Sequence, residues 1–174
     1  MMINLTTPLT KDKIKGLKSG DMVTITGTIY TARDAAHKRL KEMLEKGETL
    51  PIDLKDAVIY YVGPTPATPG NVIGSAGPTT SSRMDAYAPQ LYDLGMSVSI
   101  GKGYRTKPVL DAIVRNQGAY MVAIGGAGAY ISQCITACKV IAFEDLGAEA
   151  IHELQVDHFP ATVCIDAKGH NLYE

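Results

Sequence analysis

The chain has 174 residues, the length of one ordinary domain and too few for two independent cores. It carries 17 Lys and Arg against 18 Asp and Glu, so its formal net charge is -1 and it lacks the basic excess that non-specific binding to nucleic acid requires. The first 16 residues hold no apolar run of signal-peptide length, and the longest nearly apolar run, Ala119–Ile131, is shorter than the ~18 residues of a membrane span, which predicts no membrane partner.

The first half of the chain alternates helix and strand signals. Thr10 is predicted to cap a short helix. Met22–Tyr30 alternates apolar and polar residues and is rich in β-branched side chains, which predicts a strand with a bulge at Gly27. Arg33–Lys46 repeats apolar residues at helical spacing, and Gly47 is predicted to end this helix.

The middle of the chain is dominated by turn-forming residues. A strand is predicted at Ala57–Val62, and the stretch after it is so dense in glycine and proline that it allows only a short strand near Val72–Ile73. A helix is then predicted over Ser82–Leu94, because its first residue and Asp85 have the spacing of a capping box, with a break or kink at Pro89.

Alternation continues to the end of the chain. The remaining predicted elements are strand Ser97–Ile100, helix Lys107–Asn116 capped by Thr106, strand Tyr120–Ile124, and strands at Ala137–Phe143 and Ala161–Ile165. Several strands lie too close along the chain for crossover helices between them. We therefore predict a single α/β layered domain over residues 1–174, with a mixed sheet rather than a purely parallel one.

Three loops at predicted strand ends, where α/β proteins place their sites, hold unusual residues, and the first is Thr31–His37. Arg33 falls in the first turn of a helix, where its charge opposes the helix dipole at a cost of about 0.3–1 kcal/mol, so stability alone does not explain it. His37 follows on the same helical face, so the two residues could present a cation and a proton donor to an anion. Alternatively, Arg33 pairs with Asp34 or another acid, and His37 is a satisfied, partly buried histidine.

The second loop, Gly74–Asp85, consists of small residues that lead into a predicted helix. Backbone N–H groups at a helix start attract anions, and the four hydroxyls of Thr79–Ser82 together with Arg83 offer further donors to a carboxylate or phosphate. Alternatively these hydroxyls compete to cap the helix, although a cap needs only one of them.

The third loop, Ile100–Arg105, places a lysine between two glycines at a strand end. The glycines let the backbone approach a ligand closely, and Lys102 supplies a charge with three donors. An ordinary turn with a solvated lysine explains this pattern equally well.

The cysteines do not indicate a metal site in this chain. Cys134 and Cys138 are four residues apart and Cys164 lies in a distant apolar strand, which matches no ligand set for zinc or an iron–sulfur cluster. An odd number of cysteines also makes no disulfide framework, which favours a reducing compartment such as the cytoplasm. We expect small buried side chains and no metal ligands here.

Five segments together resemble the iron–sulfur hydro-lyases of the class I fumarate hydratase and L(+)-tartrate dehydratase family. In family order they are Thr31–His37, Tyr60–Pro64, Gly77–Asp85, Gly101–Gly103 and Gly125–Ala129. The string Gly-Pro-Thr-Thr-x-x-Arg-Met-Asp is long and independent of composition, which makes the match specific. The resemblance is to the family's shorter domain, or β subunit. It implies a swivelling β/β/α unit that closes over a larger domain holding a [4Fe–4S] cluster.

The resemblance also implies site residues. They are three catalytic residues, Thr79, His37 and Lys102, and three substrate-binding residues, Arg33, Arg83 and Ser81. Thr79 matches the threonine proposed as the catalytic base. A threonine hydroxyl is a poor base unless its deprotonated form is stabilised, so Lys102 as a nearby cation or His37 as a proton carrier is needed, and the residues alone do not decide between them.

The implied function is the reversible hydration of fumarate to L-malate by a hetero-oligomer. This chain would be the β subunit, an α subunit would bind the [4Fe–4S] cluster, and the substrate would be a small dicarboxylate. Two alternatives stay open. The chain could be the β subunit of an L(+)-tartrate dehydratase, because fumarate and tartrate enzymes both bind two carboxylates, or it could be a non-catalytic dicarboxylate-binding or regulatory module.

Overall fold

The structure is a computed structural model that describes residues 2–123 and 128–174. The strands in this part of the chain are β1 (Met2–Thr6), β2 (Met22–Thr31), β3 (Val58–Tyr60), β4 (Val98–Gly101), β5 (Ala119–Val122), β6 (Ile135–Ala142) and β7 (Ile151–Ile165). Its α-helices are α1 (Lys11–Ile14), α2 (Asp34–Glu45), α3 (Ala88–Asp93), α4 (Lys107–Asn116) and α5 (Gly128–Gln133). Two 3-10 helices cover Ser81–Met84 and Glu144–Glu149.

The strands form one mixed sheet, as predicted. Strands β1 to β5 pair in parallel in chain order, whereas β7 runs antiparallel to β5, to β6 and to β2. Because β2 pairs with both β3 and β7, the pairings β2–β3–β4–β5–β7–β2 close a ring. Strands β1 and β6 are not part of the ring and pair with β2 and β7, respectively. Together with the helices, the sheet gives a mixed α/β fold.

Two apolar clusters hold the layers together. One packs inside the ring, and the other lies between the sheet and helices α2, α3 and α4. Strand β3 contributes to both, since Val58 and Tyr60 enter the inner cluster while Ile59 faces the helices. Such alternation follows from the two-residue period of a strand. Helix α4 buries Val109, and Ala112 and Ile113, at the three- and four-residue spacing of a helical face.

Strand β2 and helix α4 agree with their predictions. Strand β2 covers the predicted residues, and its pairing with β7 shifts register between Ile25 and Gly27. Gly27 has φ +125°, and a Cβ there would lie 2.0 Å from Thr7 Oγ1, so the predicted bulge is confirmed and requires glycine. Helix α4 has the predicted bounds, although Thr106 makes no side-chain capping bond.

The helix predicted over Ser82–Leu94 is wrong in its first half. A 3-10 helix and α3 occupy this stretch, and Pro89 lies in the first turn of α3, where its missing N–H costs nothing. The capping box is also wrong, because the Asp85 carboxylate binds Arg105 and the Thr106 N–H instead. No strand forms at Val72–Ile73.

The last strand was predicted too short. Strand β7 begins at Ile151, well before the predicted Ala161–Ile165, because its first part pairs with β2 on one side and β6 on the other. Strand β5 ends at Val122, and Ile124, the end of its predicted strand, lies outside the described residues. Within residues 2–123 and 128–174, no helix has the length and apolar character needed to cross a membrane.

Candidate active site

The predicted loops meet at one edge of the sheet. Strands β2, β3 and β4 are parallel neighbours that end at Thr31, Tyr60 and Gly101, so their carboxyl ends lie together. The carboxyl ends of parallel strands are where α/β proteins commonly bind ligands. We call this the carboxyl edge. The loop that carries Thr79 joins it through the Thr79 N–H, which donates to the carbonyl of Tyr61 at 2.8 Å.

Thr79 and Lys102 lie on backbone segments that run side by side. The Ser81 N–H donates to the Lys102 carbonyl at 2.9 Å, and the Lys102 N–H donates to the Thr79 carbonyl at 3.3 Å. These bonds make Thr79–Ser81 a one-bridge parallel extension of the sheet beside β4. The Lys102 side chain is exposed and Thr79 is half-buried. The structure thus places the backbone of Thr79 beside that of Lys102.

Arg33 stands at the N-cap of α2 and carries an unsatisfied donor. Its Nε is buried and has no hydrogen-bond acceptor among the described residues, and it lies 3.6 Å from Asp34 Oδ1. A Cβ on Gly63 would lie 3.0 Å from Arg33 Cδ, so the absence of a side chain at Gly63 lets the arginine lie against the end of β3. A buried N–H without an acceptor costs free energy that an anionic ligand would recover.

Arg83 joins the same cluster through Asp34. Its Nε and Nη2 donate to the two carboxylate oxygens of Asp34 at 2.9 and 2.8 Å. The hydrogen bond from Arg83 lowers the pKa of Asp34, which keeps this carboxylate ionised between two guanidinium groups. The structure therefore brings Arg33 and Arg83 together. The pairing of Arg33 with Asp34 that the sequence left open is present as a long contact.

His37 lies behind Arg33 and is enclosed by the protein. Only 1% of its surface is exposed, and its Nδ1 lies 2.8 Å from the Arg33 carbonyl oxygen. Burial lowers the pKa of His37 to about 4, so the imidazole is neutral near pH 7, and its Nε2 has no partner among the described residues. This contact suits a residue that positions Arg33, and the expected role of His37 as a proton donor in catalysis stays a prediction.

Ser81 is also buried, with a hydrogen bond of 2.7 Å joining its Oγ to the Tyr120 hydroxyl. A Cβ on Gly101 would lie 2.0 Å from Ser81 Oγ, so the glycine accommodates the protein's own serine rather than a ligand. The expectation of ligand space is therefore wrong for Gly101, whereas a Cβ on Gly103 would meet nothing within 4 Å. The expected contact of Ser81 with the substrate stays a prediction.

Several residues of this edge were missed by sequence reasoning. Asp34 and Asp85 were noted only as a pairing partner and a cap, whereas each accepts an arginine. Glu149 accepts the Ala35 N–H at 3.1 Å at the start of α2. The side chain of Arg105 is fully buried, and only its place at the end of the third loop could have marked it.

The described residues do not fit an iron–sulfur cluster. Residues 2–123 and 128–174 contain no group of three or more His, Cys, Asp or Glu side chains arranged to hold a metal ion. Cys134 and Cys164 are buried, Cys138 is half-buried, and burial raises the pKa of all three thiols. A thiolate is the form that binds iron, and a raised pKa disfavours it. The burial of Cys134 and Cys164 agrees with the expectation of small buried side chains.

One segment of the resemblance lies mostly outside the described residues, since Gly125–Ala129 includes residues 125–127. Its described part approaches the loop before Thr79. A Cβ on Gly128 would lie 2.3 Å from Ser75 Oγ and 3.0 Å from the Gly77 nitrogen. Gly128 therefore lets helix α5 begin against the start of that loop.

All 174 residues, 1–174, match the family model described as Fumarase C-terminus. The chain belongs to this family. It is 40% identical over 154 residues to the aerobic class I fumarate hydratase of Escherichia coli, covering 87% of this chain and 28% of that protein. It is 40% identical over 156 residues to fumarate hydratase 2 of Leishmania major, covering 88% of this chain and 28% of that protein.

A third relative has nearly the same length. The chain is 38% identical over 172 residues to a putative L(+)-tartrate dehydratase subunit beta of Methanocaldococcus jannaschii, covering 95% of this chain and 88% of that protein. By contrast, the chain spans less than a third of each of the two fumarate hydratases. These matches confirm the resemblance drawn from the five segments.

Proposed function

We propose that this chain is the β-type subunit of a hydro-lyase that interconverts fumarate and L-malate. It supplies substrate-binding cations and the catalytic base to a site that an α-type partner subunit completes. We also place the hetero-oligomer in the cytoplasm, because all three cysteines are free thiols, the state that a reducing compartment maintains.

The observation that carries this proposal is the pair of arginines around Asp34. Arg33 keeps a buried Nε without an acceptor, and the carboxylate of Asp34 holds Arg83 beside it. A small dicarboxylate offers the acceptor that Arg33 lacks, and guanidinium groups bind carboxylates through two parallel hydrogen bonds. The two cations would hold the dianion and stabilise the charge that develops on the carboxylate next to the reacting carbon.

Thr79 is the proposed base in this site. In the dehydration of L-malate its oxygen would take the proton from the carbon next to a carboxylate, and in hydration it would return that proton to fumarate. A threonine alkoxide needs a nearby positive charge, and the backbone bonds between residues 79–81 and Lys102 support that lysine as its source. His37 and Ser81 act behind these residues, by fixing Arg33 and the threonine loop.

The partner subunit would supply the iron–sulfur cluster, for which the described residues of this chain offer no set of ligands. We propose that it binds a [4Fe–4S] cluster, whose open iron position would act as the Lewis acid for the departing hydroxide. The residues of this chain bind and orient the substrate and move its proton.

Reconstitution tests the proposal. We expect the purified chain to show no cluster absorbance and no hydration of fumarate, and anaerobic addition of a cluster-loaded α-type partner to give turnover. Rapid hydration by the isolated chain would contradict the shared site. Thr79→Ser, which keeps a hydroxyl, serves as the control for Thr79→Ala in the same assay and should retain part of the activity.

L(+)-tartrate dehydration is the second candidate, because a protein named as a tartrate dehydratase β subunit matches this chain over 88% of its length. Comparing kcat/KM for L-malate and L(+)-tartrate on the same complex decides between them, since both carry the two carboxylates. A third outcome, tight binding of dicarboxylates by the isolated chain with no turnover in any complex, would instead identify a binding or regulatory module.

A further inference from the structure

Arg105 is buried completely beneath the carboxyl edge. Its side chain is 0% exposed, and its Nε donates to Asp85 Oδ1 at 2.7 Å. The other oxygen of that carboxylate accepts the Thr106 N–H, also at 2.7 Å. The guanidinium carbon lies 4.7 Å from the ring centre of Tyr120 and 5.2 Å from that of Tyr61. The cation is thus bound by an acid and enclosed by two aromatic rings.

Stability is a weak reason for such an arrangement. Moving a guanidinium and a carboxylate out of water costs several kcal/mol per ion, and well-packed apolar residues often replace a buried pair without loss of stability. A buried pair with aligned hydrogen bonds does fix geometry, because an arginine fork binds its acceptors in one orientation. Arg105 also donates through its two terminal nitrogens, to Ser99 Oγ at 3.0 Å and to the Tyr61 hydroxyl at 3.2 Å.

Arg105 and the residues around it connect the segment that holds Thr79, the proposed base, with the segment that holds Lys102, its proposed cation. Asp85 ends the loop that contains Thr79, and Arg105 follows Lys102 by three residues. Tyr120, whose ring covers Arg105, places its hydroxyl 2.7 Å from Ser81 Oγ and donates to the Gly103 carbonyl at 2.8 Å. One phenol thereby touches both segments.

We infer that Arg105 and Tyr120 are positioning residues that set the distance between Thr79 and Lys102. The expected effect on kcat rests on the proposed function, because it assumes that Thr79 and Lys102 act in catalysis. Because a misplacement of about 1 Å can reduce the rate about 100-fold, loosening this contact lowers kcat. KM changes less, since Arg33 stands at the N-cap of α2 and Arg83, although it belongs to the loop of Thr79, is held by Asp34 of α2.

Two mild variants test the inference in the reconstituted complex. Arg105→Lys keeps the charge and removes the fork, and Tyr120→Phe removes one oxygen. We expect each to lower kcat by a factor of about 10–100 and to change KM less than about threefold. Arg115→Lys is the control, because Arg115 also binds an aspartate, Asp93, but through a pair of hydrogen bonds on the exposed surface of α4 and α3. Equal kcat values in all three variants would overturn the inference.

Amide hydrogen exchange of the purified chain gives an independent measure. The Ser81 and Lys102 N–H groups, which bridge the two segments, are expected to exchange at least about tenfold faster in Tyr120→Phe, while the β1–β2 amides keep their rates. Uniform acceleration across the sheet, or unchanged exchange at both amides, would contradict a positioning role. If the parent complex does not turn over, the proposed function fails, whereas this exchange test of the inference still stands.

Discussion

Acid should destabilise this protein through His37. Folding lowers the pKa of this imidazole from 6.5 to about 4, chiefly because burial penalises the charged ring. As the pH falls through 6.5, His37 of the unfolded chain binds a proton, whereas His37 of the folded chain binds one only near pH 4. The stability contributed by the neutral ring is therefore complete above this range and is lost within it. The linked loss is about 2 kcal/mol at pH 5 and about 3 kcal/mol below pH 4.

Urea unfolding at about pH 8 and about pH 5 measures this loss. His37→Asn keeps an amide donor near the Arg33 carbonyl but does not titrate, so its free energy of unfolding should fall by about 2 kcal/mol less than that of the parent between these pH values. His170→Gln changes an imidazole that is 72% exposed and should behave like the parent. If the His37→Asn variant loses as much stability as the parent, the reasoning about the buried ring is wrong.

Three further predictions concern the reconstituted complex and its steady-state kinetics. Gly63→Ala places a methyl 3.0 Å from Arg33 Cδ and should raise KM about tenfold by displacing that arginine; an unchanged KM would contradict the contact. Asp34→Asn removes the negative charge and one of the two oxygens that accept from Arg83, and it should raise KM about tenfold. The free energy of unfolding should change by less than about 1 kcal/mol because the pair is partly exposed. Thr79→Ala should lower kcat by a factor of about 100 or more and leave KM nearly unchanged, whereas Arg83→Ala should raise KM. Identical kinetic changes in the two variants would refute their separate roles.

The elements with a clean period could be predicted from the sequence. Strand β2 alternates and bulges at Gly27, and α4 repeats its apolar residues at helical spacing, so local pattern determined both. The first part of β7 was missed because strands on both sides pair with it, and neighbours distant in the chain decide its length. Likewise, Pro89 lies in the first turn of α3 and does not interrupt a longer helix. The carboxylate of Asp85, which was expected to help cap that longer helix, accepts a hydrogen bond from Arg105 instead.

The candidate site shows the same division. The sequence order and residue types of Arg33, Arg83 and Lys102 identified their loops, and the sheet brings those loops to one edge. The link between the arginines could not be predicted, because Asp34 and Arg83 are 49 residues apart. The roles of His37 and Ser81 depend on burial, and the sequence spacing that singled them out carries no information on how deeply a side chain lies.

We propose that the carboxyl edge of this chain forms one half of a dicarboxylate site. Calorimetric titration with succinate, which carries two carboxylates but no hydroxyl to lose, tests it directly. We predict saturable binding to the complex with the partner subunit, little binding to the isolated chain, and an affinity of the complex that falls about 10–100-fold on Arg33→Met. Equal affinity for the isolated chain and the complex, or full affinity in the Arg33→Met complex, would contradict the account.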